Sequence, residues 1–142
     1  MKAWISKSVI QLREQVDDVF PDRDRKSDGV LGDARHAARK SDHNPDPING
    51  CVRAVDLDRD FNQNKNVAFD LFEQLRNYAE IDSKKRISYL IFNGKICSAK
   101  SRWKFVDYKG INPHQHHIHI SFSPSGDNDS SFFDVPLLGG KI

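Results

Sequence analysis

The chain has 142 residues, which is long enough to bury a core of its own and reads most simply as one domain. Charged residues make up 30% of it and the net charge is +2, with the basic residues spread along the chain; that slightly favours an anionic polymer as partner and gives no argument for nucleic acid. No run approaches the roughly 20 apolar residues of a membrane span and the start lacks the apolar core of a secretory signal, so the expectation is a soluble chain made in the cytoplasm, without membrane insertion. Cys51 and Cys97 form no Cys-x-x-Cys pair and read as two half-buried free thiols.

Trp4, Ile5, Val9, Leu12, Val16 and Val19 recur at three- and four-residue steps, predicting an amphipathic helix from 4 to about 19 that Pro21 stops. A polar stretch follows from Asp22 to Lys40, with turn signals at Asp28-Gly29 and Gly32-Asp33 and a short Ala-rich run, Ala34 to Arg39. A loop this long in a small domain points to function, which suits its place just before Ser41-Asp42-His43. After the Asn49-Gly50 turn, Val52 to Asp58 reads as a strand ending in two same-face carboxylates, Asp56 and Asp58.

From Asn66 to about Glu80 the positions Ala68, Leu71, Phe72, Leu75, Tyr78 and Ala79 give a second helical stripe. Ile87 to Phe92, Asn93-Gly94 and Lys95 to Ser98 form the strongest hairpin signal in the chain, because Asn-Gly readily takes left-handed turn angles. Trp103, Phe105 and Tyr108 continue with alternating spacing and can extend the sheet or wall a cleft; Trp103 and Tyr108 read as core or sheet-surface aromatics sooner than as substrate platforms. His117 to Phe122 then alternates, with His117, His119 and Ser121 on one face and Ile118, Ile120 and Phe122 on the other. The Ser/Asp/Gly-rich tail reads as poorly ordered until Phe132 to Leu138, which can tuck back onto the body, so the chain divides as a domain over 1–125 and a partly ordered tail over 126–142. Histidines and a carboxylate from three separate places make a ligand set with one open position, the arrangement of a catalytic zinc.

Together, Ser41-x-His43, Ala54-Val55-Asp56 and His117-x-His119 resemble the zinc peptidases of the D-alanyl-D-alanine carboxypeptidase and L-alanyl-D-glutamate endopeptidase family, whose fold is shared with the hedgehog signalling domain. Phage endolysin domains are similar in stretches like Gly32-Asp-Ala-Arg-His36, Ser41-Asp-His-Asn-Pro45 and Asn112-Pro-His114 leading into His-x-His-x-Ser. The resemblance implies an α+β fold: a small antiparallel sheet of Val52 to Asp58, the Asn93-Gly94 hairpin and His117 to Phe122, with both helices on the side away from the metal. It implies Zn2+ held by His43, Asp56 and His119, with His117 as general base or electrostatic stabiliser and Arg35 and Ser41 on the substrate side.

Many relatives place the first His and the Asp closer together, so an insertion around Asn44 to Gly50 must loop out, and Asp46 and Asp58 stay open as rival ligands. Where the carboxypeptidase branch has an acidic base, three residues before the last ligand, this chain has His116; the base therefore lies among His114, His116 and His117. Arg35 reads equally as an exposed helix residue and Ser41 as a turn hydroxyl. The function implied is cleavage of the peptidoglycan stem peptide by a monomeric phage or prophage endolysin. It would reach the bacterial cell wall once a holin opens the membrane, and would cut either an Ala–Glu or a D-Ala–D-Ala bond. Two other readings stand beside it. Asp42-His43-Asn-Pro45 before Asn49-Gly50 echoes a metal-dependent nuclease of the His-Asn-His type, and a zinc-binding domain need not be catalytic.

Overall fold

The structure, a computed structural model, describes residues 2–30, 41–110 and 112–141. Among these residues the fold is α+β: two helices and a five-stranded antiparallel sheet in the order β3-β7-β4-β5-β6, with a two-stranded parallel pair beside them. The pair is β1 (Trp4–Ile5) with β2 (Cys51–Val52). The sheet consists of β3 (Ala54–Asp58), β4 (Ile87–Phe92), β5 (Lys95–Ser98), β6 (Val106–Asp107) and β7 (His117–Phe122).

Helix α1 (Lys7–Val19) starts later than the periodicity suggested. Trp4 and Ser6 donate their N–H groups to Gly50 O and Val52 O, both at 3.0 Å, and the Trp4 indole donates to Asn49 O at 2.7 Å. Those long-range bonds hold the first residues as strand, although their apolar spacing continues that of the helix. Helix α2 (Val67–Ile81) forms where the second stripe lies. Both helices bury Val9, Leu12, Val16, Leu71, Phe72 and Leu75 in one core with Val55, Leu57, Leu90, Ile118, Ile120 and Phe122.

Strand β7 is the central element, pairing with β3 on one side and β4 on the other. Its alternation decides the layout. The isoleucines and Phe122 face the helices, while His117, His119 and Ser121 occupy the alternate positions, opposite Asp58, Asp56 and Ala54 of β3. The Asn93-Gly94 turn has φ of 50° and 79°, the left-handed pair of a type I′ hairpin. A register shift between Ile87 and Tyr89 turns Ile87 into the core and leaves Tyr89 opposite Ser121.

The tail is tied down earlier than its composition suggests. Arg53 clamps Asp127 with two bonds of 2.7 Å, and Lys7 N–H reaches Asp127 O at 2.9 Å. Gln15 bonds both N–H and O of Phe133, and the buried Arg86 guanidinium sits 3.9 Å from the Phe133 ring centre while donating to Ser131 O. Phe133, Val135 and Leu138 belong to the core, so residues 126–141 pack as part of the same body. Phe132 is half exposed. Cys51 and Cys97 are fully buried free thiols, and burial pushes each up to about 12. Among the described residues no helix is long and apolar enough to cross a membrane.

Candidate metal centre

Three segments converge on the sheet face opposite the helices. Asp56 and His119 are register partners on β3 and β7, so neighbouring strands present their side chains together. His43 arrives on a turn outside the sheet. Ser41 Oγ accepts the His43 N–H at 3.2 Å, Asn44 N–H closes onto Ser41 O, and Arg53 N–H fixes Asp42 O. Ser41 therefore serves as the turn hydroxyl that seats His43.

The donor atoms lie close together, each imidazole against a different oxygen of Asp56. His43 Nε2 lies 3.1 Å from Asp56 Oδ2, His119 Nδ1 lies 3.0 Å from Asp56 Oδ1, and the two nitrogens are 3.2 Å apart. All three residues are buried. A tetrahedral zinc with bonds of 2.0–2.2 Å separates adjacent ligand atoms by about 3.3–3.5 Å, so an ion enters with small adjustments. Proton counting points the same way. His43 Nδ1 is 2.8 Å from Val30 O, an acceptor only, so Nδ1 carries the proton and neutral His43 turns a bare lone pair toward a carboxylate. Either a further proton or a cation must hold that group together. The buried His43–Asp56–His119 group can hold a metal ion.

Electrostatics record the same conflict. Burial raises the Asp56 pKa, but hydrogen bonds and charge from His119 and His43 outweigh it and hold the carboxyl well below its ordinary range. Burial lowers the His43 pKa, and Asp56 with the Val30 carbonyl reverses this, leaving it raised.

Both rival carboxylates are engaged elsewhere. Asp46 accepts from Arg53 at 2.6 Å and from Ile48 N–H at 2.7 Å, and so staples the 44–50 loop whose tip, Ile48, is 84% exposed. Asp58 accepts Ser27 N–H and Asp60 N–H, each at 2.8 Å, and so fixes two loops.

Of the candidate bases, His117 Nε2 stands 3.5 Å from Asp56 Oδ2 and is partly open to solvent. His114 has its ring 5.0 Å from that of His117 and 5.2 Å from that of His119, centre to centre. Its φ is 57°, its carbonyl accepts the Asn93 N–H, and its buried Nδ1 has no hydrogen-bond partner among the described residues. His116 is exposed, and its carbonyl accepts the Arg59 N–H. Arg35, His36 and the Gly32-to-Arg39 stretch lie outside the described residues.

Some of the site was not read from the sequence. Tyr89 stacks on His119 at 5.5 Å and 22°; its position two residues before Ile91 on a strand was the available signal. Tyr108, set aside as a sheet aromatic, packs edge-on against His114 at 5.6 Å. The Val30 carbonyl carries no side-chain signature. Its neighbour Gly29 bridges Asp56 in both directions, and Arg23, buried, grips Asp28 with bonds of 2.9 and 2.6 Å to hold that loop in place.

The metal-free protein is expected to be most stable near pH 6.5. Burial, with His119 and His117 nearby, drops His114 to about 4, and burial lowers His117 despite Asp56. Unfolding therefore takes up protons below the ordinary imidazole value, and stability is lost as pH falls from about 6.5 toward 4; Asp56 extends that loss below pH 4. His43 acts in the opposite sense. Its contribution is complete below 6.5 and disappears as pH rises through its raised folded value. Urea unfolding between pH 4 and 9 should show this maximum, with His114→Ala flattening the acid limb by roughly 1–2 kcal/mol once solvent screening is allowed for. Saturating metal should remove the alkaline decline, because it binds His43 deprotonated.

No protein-family model, no curated protein and no solved structure matches the chain.

Proposed function

We propose that the chain is a zinc-dependent peptidase that hydrolyses the stem peptide of bacterial peptidoglycan, an endolysin of the D-Ala-D-Ala carboxypeptidase and L-alanyl-D-glutamate peptidase family with the hedgehog-type fold. The observation that carries this reading is the convergence of His43 Nε2, His119 Nδ1 and the two Asp56 oxygens, with contacts of 3.0–3.2 Å and His117 beside them. Two imidazoles and one carboxylate leave a fourth position for water or substrate, as catalytic zinc sites do. The order of motifs around these residues supports the family reading. A membrane opened by a holin would give such a protein access to the wall.

Bound there, zinc would supply Lewis-acid polarisation of a peptide carbonyl and a water of lowered pKa. The chain's own residues do the rest. Asp56 would bind the metal between the two imidazoles and supply the negative charge, and the Val30 carbonyl fixes the His43 tautomer. His117, kept neutral by burial, takes at Nε2 the proton given up by the attacking water and passes it to the departing amine. The Asp56 carboxylate 3.5 Å away steadies the imidazolium in between. A His-Asn-His nuclease would need a metal-binding histidine on the helix that follows, and α2 has none.

The test is digestion of purified peptidoglycan by the zinc-loaded protein, with fragments weighed by mass spectrometry. New amino termini on D-Glu or release of D-Ala would establish the activity and identify the bond. A folded, zinc-loaded protein that releases no fragment from several wall types would leave a non-catalytic zinc domain.

A further inference from the structure

The two imidazoles of the metal centre face it in opposite senses. His43 turns Nε2 inward, because its Nδ1–H is taken by the Val30 carbonyl at 2.8 Å. His119 turns Nδ1 inward, 3.0 Å from Asp56 Oδ1, and its Nε2 meets Ser121 Oγ at 2.9 Å. Ser121 is fully buried on the next same-face position of β7, paired with Ala54 and Tyr89 on either side, and Tyr89 stacks on the His119 ring.

A neutral imidazole carries one N–H, and the nitrogen that keeps it cannot bind metal. Without a metal, the Asp56 carboxylate draws that proton to Nδ1. Metal at Nδ1 requires the proton on Nε2, inside a buried pocket, where an N–H without an acceptor is strongly disfavoured. The Ser121 hydroxyl is the acceptor there.

We infer that Ser121 is the positioning residue of the metal centre, receiving the Nε2–H that a metal at the inward-facing Nδ1 of His119 leaves on the far side of the ring. The inference rests on the metal-centre reading and takes its donor atoms, Nε2 of His43 and Nδ1 of His119, from the orientation of the two rings. It also gives a role to the buried serine two residues after the last ligand.

The experiment uses the full chain labelled with 15N-histidine and loaded with 113Cd, beside zinc affinities by chelator competition for wild type, Ser121→Ala and Ser121→Thr. Cadmium–nitrogen coupling should appear at Nδ1 of His119 and Nε2 of His43, with the His119 Nε2 resonance of the protonated type. Ser121→Ala should weaken zinc roughly 10- to 100-fold, as loss of an outer hydrogen-bond partner does, with zinc affinity measured at a temperature where the metal-free variant is shown by circular dichroism to be folded. Ser121→Thr should recover most of that loss; if its extra methyl unsettles the metal-free fold, the cadmium coupling decides alone. Coupling at His119 Nε2, or zinc bound by Ser121→Ala as tightly as by wild type, would overturn the role of Ser121 and leave the metal centre standing. A wild type that takes up neither zinc nor cadmium would remove the metal centre and this inference with it.

Discussion

Asp56→Asn is expected to reduce zinc affinity by two to four orders of magnitude while the sheet stays intact. Asp56 is the shared contact of the centre, reaching His43 with one oxygen and His119 with the other, and is the anionic member of the group. Sites that bind zinc with roughly 10–16 kcal/mol through a few ligands place about 3–5 kcal/mol on each, which sets the size of the effect. Asparagine preserves the shape and removes the charge, so β3 can keep its pairing with β7 and its bridge to Gly29. The controls are the two rival carboxylates. Asp46→Asn and Asp58→Asn should keep zinc within a few-fold of wild type, because those side chains already hold Arg53, Ser27 and Asp60. Isothermal titration of the three variants separates the assignments. Zinc lost with Asp58 and kept without Asp56 would move the centre one alternate position along β3.

His117→Ala should retain one zinc per chain and lower kcat by roughly 10²- to 10⁴-fold, the usual contribution of a positioned proton-transfer group. The separation between metal and turnover follows from position. His117 Nε2 stands 3.5 Å from an Asp56 oxygen yet outside the His43–Asp56–His119 group. Its neutral form is favoured by burial, so at pH 7 it is ready to accept a proton. His116→Ala provides the contrast. Exposed and engaged through its backbone alone, it should change turnover by no more than about twofold, as an ordinary surface substitution does. Loss of zinc from His117→Ala would make it a ligand, and unchanged kcat would pass the proton-transfer role to His114, which packs against both rings.

What could be read in the sequence was local and periodic. The alternation from His117 to Phe122 placed polar and apolar faces correctly because β7 is central and has one face in the core. The Asn93-Gly94 pair identified its turn because few residues take two successive left-handed conformations. The sequence could not show contacts that depend on distant partners. Trp4 and Ile5 continue the spacing of α1, and pairing with Cys51 and Val52 makes them strand. The tail's polar composition hid its order because Asp127 and Phe133 are held by Arg53, Gln15 and Arg86, charged or polar residues from earlier elements. Asp58 shares the strand face of Asp56 without its Ala-Val-Asp context, and the loop amides of Ser27 and Asp60 occupy it. The Val30 carbonyl that orients His43 belongs to the backbone, so no residue type announces it.

The most direct measurement is the release of free amino groups from purified peptidoglycan by the zinc-loaded protein, repeated after chelation and again after zinc is restored, with bound metal counted at each stage. The account predicts one zinc per chain, cleavage that disappears with the metal and returns with it, and none from Asp56→Asn. Cleavage that persists in the metal-free protein, or folded protein with a full complement of zinc and no cleavage, would contradict it.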